Sequence, residues 1–190
     1  MIADEWENKI LESFGVKSTP KETNATSILG TNIGDAYDFY WKGKEKFILM
    51  DEESLEEAIP LLKKAVELDP NYTDAYATLA ETYQRLYEFK NFTGDRIGAE
   101  KMKIFGFEAA TKALEISPES STAHRVISFY YFYLDPDFEK SKFHAQKSVE
   151  LDPKDAEAAM RLFVIKAREN KKLLSLDDTE FPSIYTLNPN

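Results

Sequence analysis

Lys64-Ala65-Val66-Glu67-Leu68-Asp69-Pro70, Lys112-Ala113-Leu114-Glu115-Ile116-Ser117-Pro118 and Lys147-Ser148-Val149-Glu150-Leu151-Asp152-Pro153 align without a gap. In each stretch a small residue lies five positions before a proline, an aliphatic pair brackets a glutamate, and Asp or Ser precedes the proline. Each reads as the end of an amphipathic helix. Proline stops the helix because it has no N–H to donate and holds the residue before it extended. Eight and twelve residues before the same prolines stand Leu62 and Ala58, Ala110 and Gly106, Ala145 and Ser141. Small side chains on one helical face let a neighbouring helix approach closely.

A second pattern starts after each proline. In Asp74-Ala75-Tyr76-Ala77-Thr78-Leu79-Ala80-Glu81-Thr82-Tyr83, the residues Tyr76, Leu79, Ala80 and Tyr83 recur at offsets of three, four and seven, one stripe of a helix. One helix thus follows another across a short turn. Pro118 and Pro153 are 35 residues apart, but Pro70 and Pro118 are 48 apart. The excess is expected as a loop from Glu88 to Gly98, where two glycines and an Asn/Asp cluster interrupt the pattern. A first unit opens near Asp35, carries Phe39, Gly43 and Phe47, and turns at Asp51-Glu52-Glu53. Its second helix is expected to start at Ser54, with Ser54 and Glu57 as a capping box. A fourth opening helix is expected over 155–170, and Pro189 lies 36 residues beyond Pro153. Near the start, Trp6, Ile10, Leu11 and Phe14 space a further amphipathic helix ending at Gly15, followed by a polar linker to Gly34.

These paired helices resemble the tetratricopeptide repeat (TPR), a unit of about 34 residues with an aromatic, a Leu-Gly-like pair and a Tyr on its first helix, small residues on its second, and a terminal proline. The resemblance implies an all-α fold, a TPR-type α-α superhelix formed as a right-handed solenoid of antiparallel helix pairs. It divides the chain into a capping helix and linker (1–34), an array of about three repeats plus a fourth first helix (35–170), and a degenerate fourth repeat or C-terminal tail (171–190). Ile10 to Glu22, Gly30-Thr31-Asn32-Ile33-Gly34-Asp35-Ala36-Tyr37-Asp38-Phe39-Tyr40-Trp41-Lys42-Gly43-Lys44 and the repeats up to about residue 153 are also similar to a more specific group. That group is the C-terminal repeat region of bacterial multidomain signalling proteins, where a class III adenylate or guanylate cyclase, a winged-helix or a kinase domain precedes the repeats. The likeness departs at Gly30, where that family usually has proline. No motif of those preceding domains occurs in the chain.

Composition narrows the function by exclusion. In 190 residues, 24 Lys and Arg against 34 Asp and Glu leave a net charge of −10, which repels phosphate backbones and anionic lipid surfaces. No nucleic acid is therefore expected as a partner. The absence of cysteine removes disulfides, thiolate metal sites and cysteine nucleophiles. The longest apolar run, Val126 to Leu134, is far short of the roughly 20 residues that span a bilayer, so membrane insertion is not expected. Acids at Asp4, Glu5 and Glu7 stand where a secretory leader would be basic. The expected location is cytoplasmic, or periplasmic where the segment comes from a membrane-anchored parent.

Catalytic groups do not converge in the sequence. His124 and His144 are twenty apart without a metal-ligand motif, and His124 takes the place of Tyr76 in the repeat, as a packing histidine would. The stretch from Gly94 to Lys101 lacks the Gly-Lys-Ser/Thr ending of a phosphate loop. The acids of Asp135 to Glu139 lack the glycine and closing glutamate of a calcium loop and read as a turn. No enzyme activity, cofactor or metal is expected.

Stacked helix pairs form a concave surface lined by the first helix of each pair. The residues off the packing stripe are then Tyr37, Tyr40, Lys44 and Phe47 in the first unit, and Asp74, Ala77, Glu81, Gln84 and Arg85 in the second. The third contributes Thr122, Arg125, Phe129, Phe132 and Tyr133. Mixed charge and aromatic rings suit a protein or peptide ligand, and the expected function is a non-catalytic interaction module of a signalling protein. Lys44, Arg85 and Arg125 offer a weaker variant, capture of a terminal carboxylate. The alternatives are self-assembly into a homodimer through exposed repeat ends, and a small-molecule sensor using the rings of Tyr130 to Tyr133.

Overall fold

The computed structural model describes residues 30–169. The helix expected around Trp6 to Phe14 and the tail at 171–190 lie outside them. Among the described residues there are seven helices and no strand: α1 (Gly34–Ile48), α2 (Glu52–Leu68), α3 (Thr73–Thr93), α4 (Arg96–Ile116), α5 (Ser121–Tyr133), α6 (Phe138–Leu151) and α7 (Ala156–Glu169). Each helix packs on the next, and α1, α3, α5 and α7 also approach one another in a row. The closer spacing along that row curves the stack, so the first helices line its inner side.

Three corners are built alike. After α2, α4 and α6, the residues Asp69, Ser117 and Asp152 are extended, with φ of −126°, −136° and −133°. Their N–H groups donate to Ala65, Ala113 and Ser148, each at 2.9 Å, closing the last helical turn. A reverse turn with proline at its second position follows. Tyr72 N–H donates to the Asp69 carbonyl (3.1 Å), Ser120 to Ser117 (3.3 Å) and Asp155 to Asp152 (3.2 Å). Proline suits this place because its ring presets the turn's φ and its missing N–H ends the helix. Pro70, Pro118 and Pro153 thus sit at equivalent corners.

The small-residue face is buried in every unit. Ala58, Leu62 and Ala65, Gly106, Ala110 and Ala113, and Ser141, Ala145 and Ser148 are all in the core. At Gly43 of α1 a β-carbon would come within 2.7 Å of Leu62, so glycine is what lets α1 lie on α2. In the third unit the small residues are serines whose hydroxyls bond the opposite backbone. Ser128 Oγ donates to the Ser141 carbonyl (2.8 Å), Ser141 Oγ to the Ser128 carbonyl (2.9 Å), and Ser148 Oγ to the Ser121 carbonyl (2.9 Å). A buried hydroxyl is tolerated where its hydrogen bond is made.

Two local expectations need correction. The extra residues between Pro70 and Pro118 do not form a loop: α3 and α4 are each 21 residues long, against 13 and 14 for α5 and α6. Only Gly94 and Asp95 join them. Gly94 takes the left-handed φ of 83° that ends α3, and the Asp95 carboxylate accepts from Gly98 N–H to start α4. The extension of α3 is anchored by Lys90, whose ammonium lies 2.6 Å from both Glu52 and Glu56 of α2. Helical geometry thus continues through residues whose composition suggested a break, because tertiary contacts override weak propensity. Nor do Ser54 and Glu57 form a capping box. α2 is capped by Asp51, whose carboxylate accepts from Ser54 N–H at 2.8 Å, while Glu57 pairs with Lys46 of α1.

The two histidines, distant in sequence, meet at the joint of α5 and α6. His124 Nε2 is 3.0 Å from the Pro118 carbonyl, which can only accept, so Nε2 carries the proton. His124 Nδ1 is then an acceptor for His144 Nδ1–H at 2.9 Å, and both rings are neutral. Burial pushes both imidazoles down, His144 from 6.5 to about 4 with His124 as the second cause, and nearby Lys147 also disfavours a charge on His124. The unfolded chain therefore binds more protons than the folded one between those values. Stability from this joint is full above pH 6.5 and declines as pH falls toward 4.

The melting temperature should accordingly fall between pH 7 and pH 5, and His144→Phe should flatten that slope; an equal slope in the variant would show that the pair does not titrate in the window. Leu62→Ala should lower unfolding free energy by about 2–5 kcal/mol in urea titrations, since it empties the α1–α2 contact. Asp51→Ala should lower the melting temperature where Glu57→Ala changes it less, the ordering expected if the aspartate alone caps α2.

Candidate interaction surface

The inner row presents two different surfaces. On α1, Tyr40 is buried against Tyr72 with ring centroids 5.0 Å apart, and Tyr37 sits edge-on to Trp41 at 6.0 Å. Burial raises the Tyr40 phenol, and a hydrogen bond with Thr78 of α3 opposes the shift. Lys44 lies over the ring of Phe47 at 5.3 Å, and Phe47 itself is buried. Asp74, at the start of α3, is exposed, whereas Ala77 is in the core.

Along α3, α5 and α7 the surface is a web of charges. Arg125 of α5 is only 5% exposed, so a lone charge there would be costly. Carboxylates from both neighbouring helices surround it: Glu81 of α3 at 2.7 Å, Asp155 at 3.0 Å and Glu157 of α7 at 2.9 Å. Arg85 of α3 reaches Glu157 at 2.5 Å, Glu88 at 3.4 Å and Glu81 at 3.5 Å. Burial pulls both guanidinium pKa values down, but the surrounding acids outweigh it and leave them above their usual range. Asp155 has a second task. Its Oδ1 accepts the Glu157 and Ala158 N–H groups at 2.9 and 3.0 Å, capping α7.

Arg161 of α7 is held differently. Its guanidinium lies 5.1 Å from the ring centre of Phe129 and 5.3 Å from that of Tyr133, and its nearest carboxylate, Glu157, is 4.0 Å away. Burial lowers its pKa, with Tyr133 and Glu157 compensating in part. A cation against two aromatic faces is attracted to their π-clouds, by about 2 kcal/mol or more where water is excluded. Phe129 and Phe132 are buried beneath, Thr122 is half-buried, and Tyr133 stays 45% exposed.

The structure therefore brings Glu81, Gln84, Arg85, Arg125, Phe129 and Tyr133 together and leaves Tyr37, Tyr40, Lys44 and Phe47 as a separate aromatic surface on α1. Gln84 and Phe132 belong to the wall more than to the opening, being fully or nearly buried. The guanidinium groups of Arg85 and Arg125 are engaged by the chain's own acids. The rings of Tyr130 and Tyr131 are likewise packed, both edge-on to Phe107. Sequence reasoning missed Glu88, Asp155, Glu157 and Arg161. Carrying the proline register one unit further, past Pro153, would have found Glu157, at the offset of Asp74 and Thr122, but not Asp155 or Arg161, which fall at other offsets.

Residues 48–86 match a family model described as TPR repeat. The first TPR of Spaghetti (RPAP3) bound to the HSP90 peptide SRMEEVD is similar in structure, with a TM-score of 0.56 and 20% identity over 72% of this chain and 94% of that one. The first TPR domain of human RPAP3 gives 0.56 and 21% over 73% and 95%, and TTC0263, a thermophilic TPR protein of Thermus thermophilus, gives 0.59 and 19% over 76% and 71%. Comparison with curated proteins finds no match. No described helix is long and apolar enough to cross a membrane. At these identities the likeness is one of fold, and the described chain is an all-α superhelix of antiparallel helix pairs of the TPR type.

Proposed function

We propose that this chain is a non-catalytic protein-interaction module that holds a peptide or protein segment along its inner face, as a regulatory or scaffolding part of a bacterial signalling protein. The observation that carries the reading is the web joining Arg85 and Arg125 to acids of helices other than their own, with Arg161 set against the rings of α5. It locks three first helices in one geometry, so a ligand meets a surface that needs little ordering on binding. The similarity of residues 10 to about 153 to the repeat regions of multidomain signalling proteins supports the context.

The chemistry of the ligand follows from what the web leaves open. Four acids face three arginines there, so the surface carries no large excess of either sign. A ligand carboxylate aimed at Arg85 or Arg125 has to displace Glu81 or Glu157. Recognition then rests on ring contacts at Tyr133 and Tyr37 and on hydrogen bonds at Thr122 and Asp74. An acidic peptide of the kind bound by the RPAP3 domain is a poorer fit than one with apolar anchors.

A displayed peptide library selected against the chain should return ligands whose affinity falls about tenfold on Tyr133→Ala, the loss of one anchor of about 1.4 kcal/mol. The same ligands should be indifferent to Lys112→Ala on the outer helix α4. Ligands sensitive to Lys112 and blind to Tyr133 and Tyr37 would place recognition on the outer side and overturn the reading.

A further inference from the structure

Counting from the corner prolines reveals an exchange of large and small residues in the last unit. Five residues after each proline the side chain is alanine, and Ala75, Ala123 and Ala158 are all fully buried. Ten residues after it, the second and third units carry Ala80 and Ser128, again fully buried, whereas the fourth carries Phe163, 62% exposed. Six residues after it stand Tyr76 and His124, but in α7 the residue is Ala159, which is exposed. In the third unit this face of the first helix is covered by α6, through the bonds of Ser128 to Ser141 and His124 to His144. A helix laid on α7 in the same way would collide with Phe163.

We propose that the stripe of Ala156, Ala159, Met160, Phe163 and Lys166 on α7 is a two-fold interface, where α7 of one copy packs antiparallel on α7 of a second. All five residues are exposed and recur at helical spacing. An isologous contact needs a surface complementary to itself. Antiparallel pairing about the midpoint of Ala159 and Phe163 supplies that, since each phenyl ring falls into the gap left by the other copy's alanine. Charge agrees with the orientation. Lys166 is exposed in the last turn of α7, and Asp152 is exposed at the corner before its first turn. Pairing in this sense brings Lys166 of one copy toward Asp152 of the other. Arg161 points to Phe129 and Tyr133 on the inner side, so the interface and the proposed ligand surface are separate. A helix of 14 residues is about 21 Å long and buries less than the roughly 800 Å² per partner of a standard interface. The dimer is therefore of the weak, reversible kind.

Sedimentation equilibrium of the full chain from about 1 to 200 μM tests this. The mass should rise from 21.8 kDa toward twice that value, and Phe163→Glu should stay monomeric while keeping the wild-type helical circular dichroism and melting temperature. The chain has no cysteine, so Ala159→Cys and Phe163→Cys are clean probes. Mixed under mild oxidation, the two variants should cross-link to each other at least about fivefold faster than either links to itself. A monomer at 200 μM, a dimer indifferent to Phe163→Glu, or growth beyond two copies through end-to-end stacking would each overturn the proposal. So would a monomer in which Phe163→Cys resists a thiol reagent, because another stretch of the same chain would then cover the face.

Discussion

Two helices can lie close together only where little stands between them, and that constraint organises the whole stack. Gly43, Ala58, Ala80, Gly106, Ala110, Ser128 and Ser141 are the places where side chains are withheld so that backbones approach. The proline corners matter because they set where each such face begins. An identical turn after α2, α4 and α6 launches the next first helix in the same rotational phase, which is what makes successive pairs superimpose. Where the rule is kept with serine, the hydroxyl must find a backbone carbonyl, and it does so reciprocally across the α5–α6 contact.

The inner face obeys a second constraint, electrostatic in origin. An arginine as buried as Arg125 is acceptable only with carboxylates at hand, and no single helix can supply them all. The acids come from α3 and from the start of α7, so neutralising one charge ties three helices together. The arrangement gives order more than raw stability, because desolvating the charges offsets much of their attraction. It also decides which groups on that face stay open. Arginines that read in isolation as anion receptors are already occupied, while the Tyr133 ring beside them remains accessible.

Much of the architecture was legible in three seven-residue stretches, since Asp or Ser before each of these prolines is extended and the small residues admit a close neighbour; proline alone does not decide, because α2 runs through Pro60. The helix pairs, the corners and the burial of the small face all follow from them. The loop expected between Glu88 and Gly98 shows where that reading fails, because its residues are indifferent helix formers and the decision fell to Lys90 gripping two glutamates on α2. The capping of α2 was ambiguous for a related reason. Asp51 and Ser54 are both competent caps three residues apart, and the choice depends on where α1 ends.

The inner surface divides in the same manner. That the first helices carry aromatic and charged residues at helical spacing was evident from periodicity, because the angle between residues on a helix does not depend on what surrounds it. Which arginines are spent on internal acids, which ring lies open, and that His124 would meet His144 across twenty residues were settled only in three dimensions. Pairing of that kind depends on distances between helices, and those are products of packing that no single segment encodes. By itself the sequence determined the repeating hairpin and its register; the folded structure decided which charges are spent within the chain, because that depends on distances between helices.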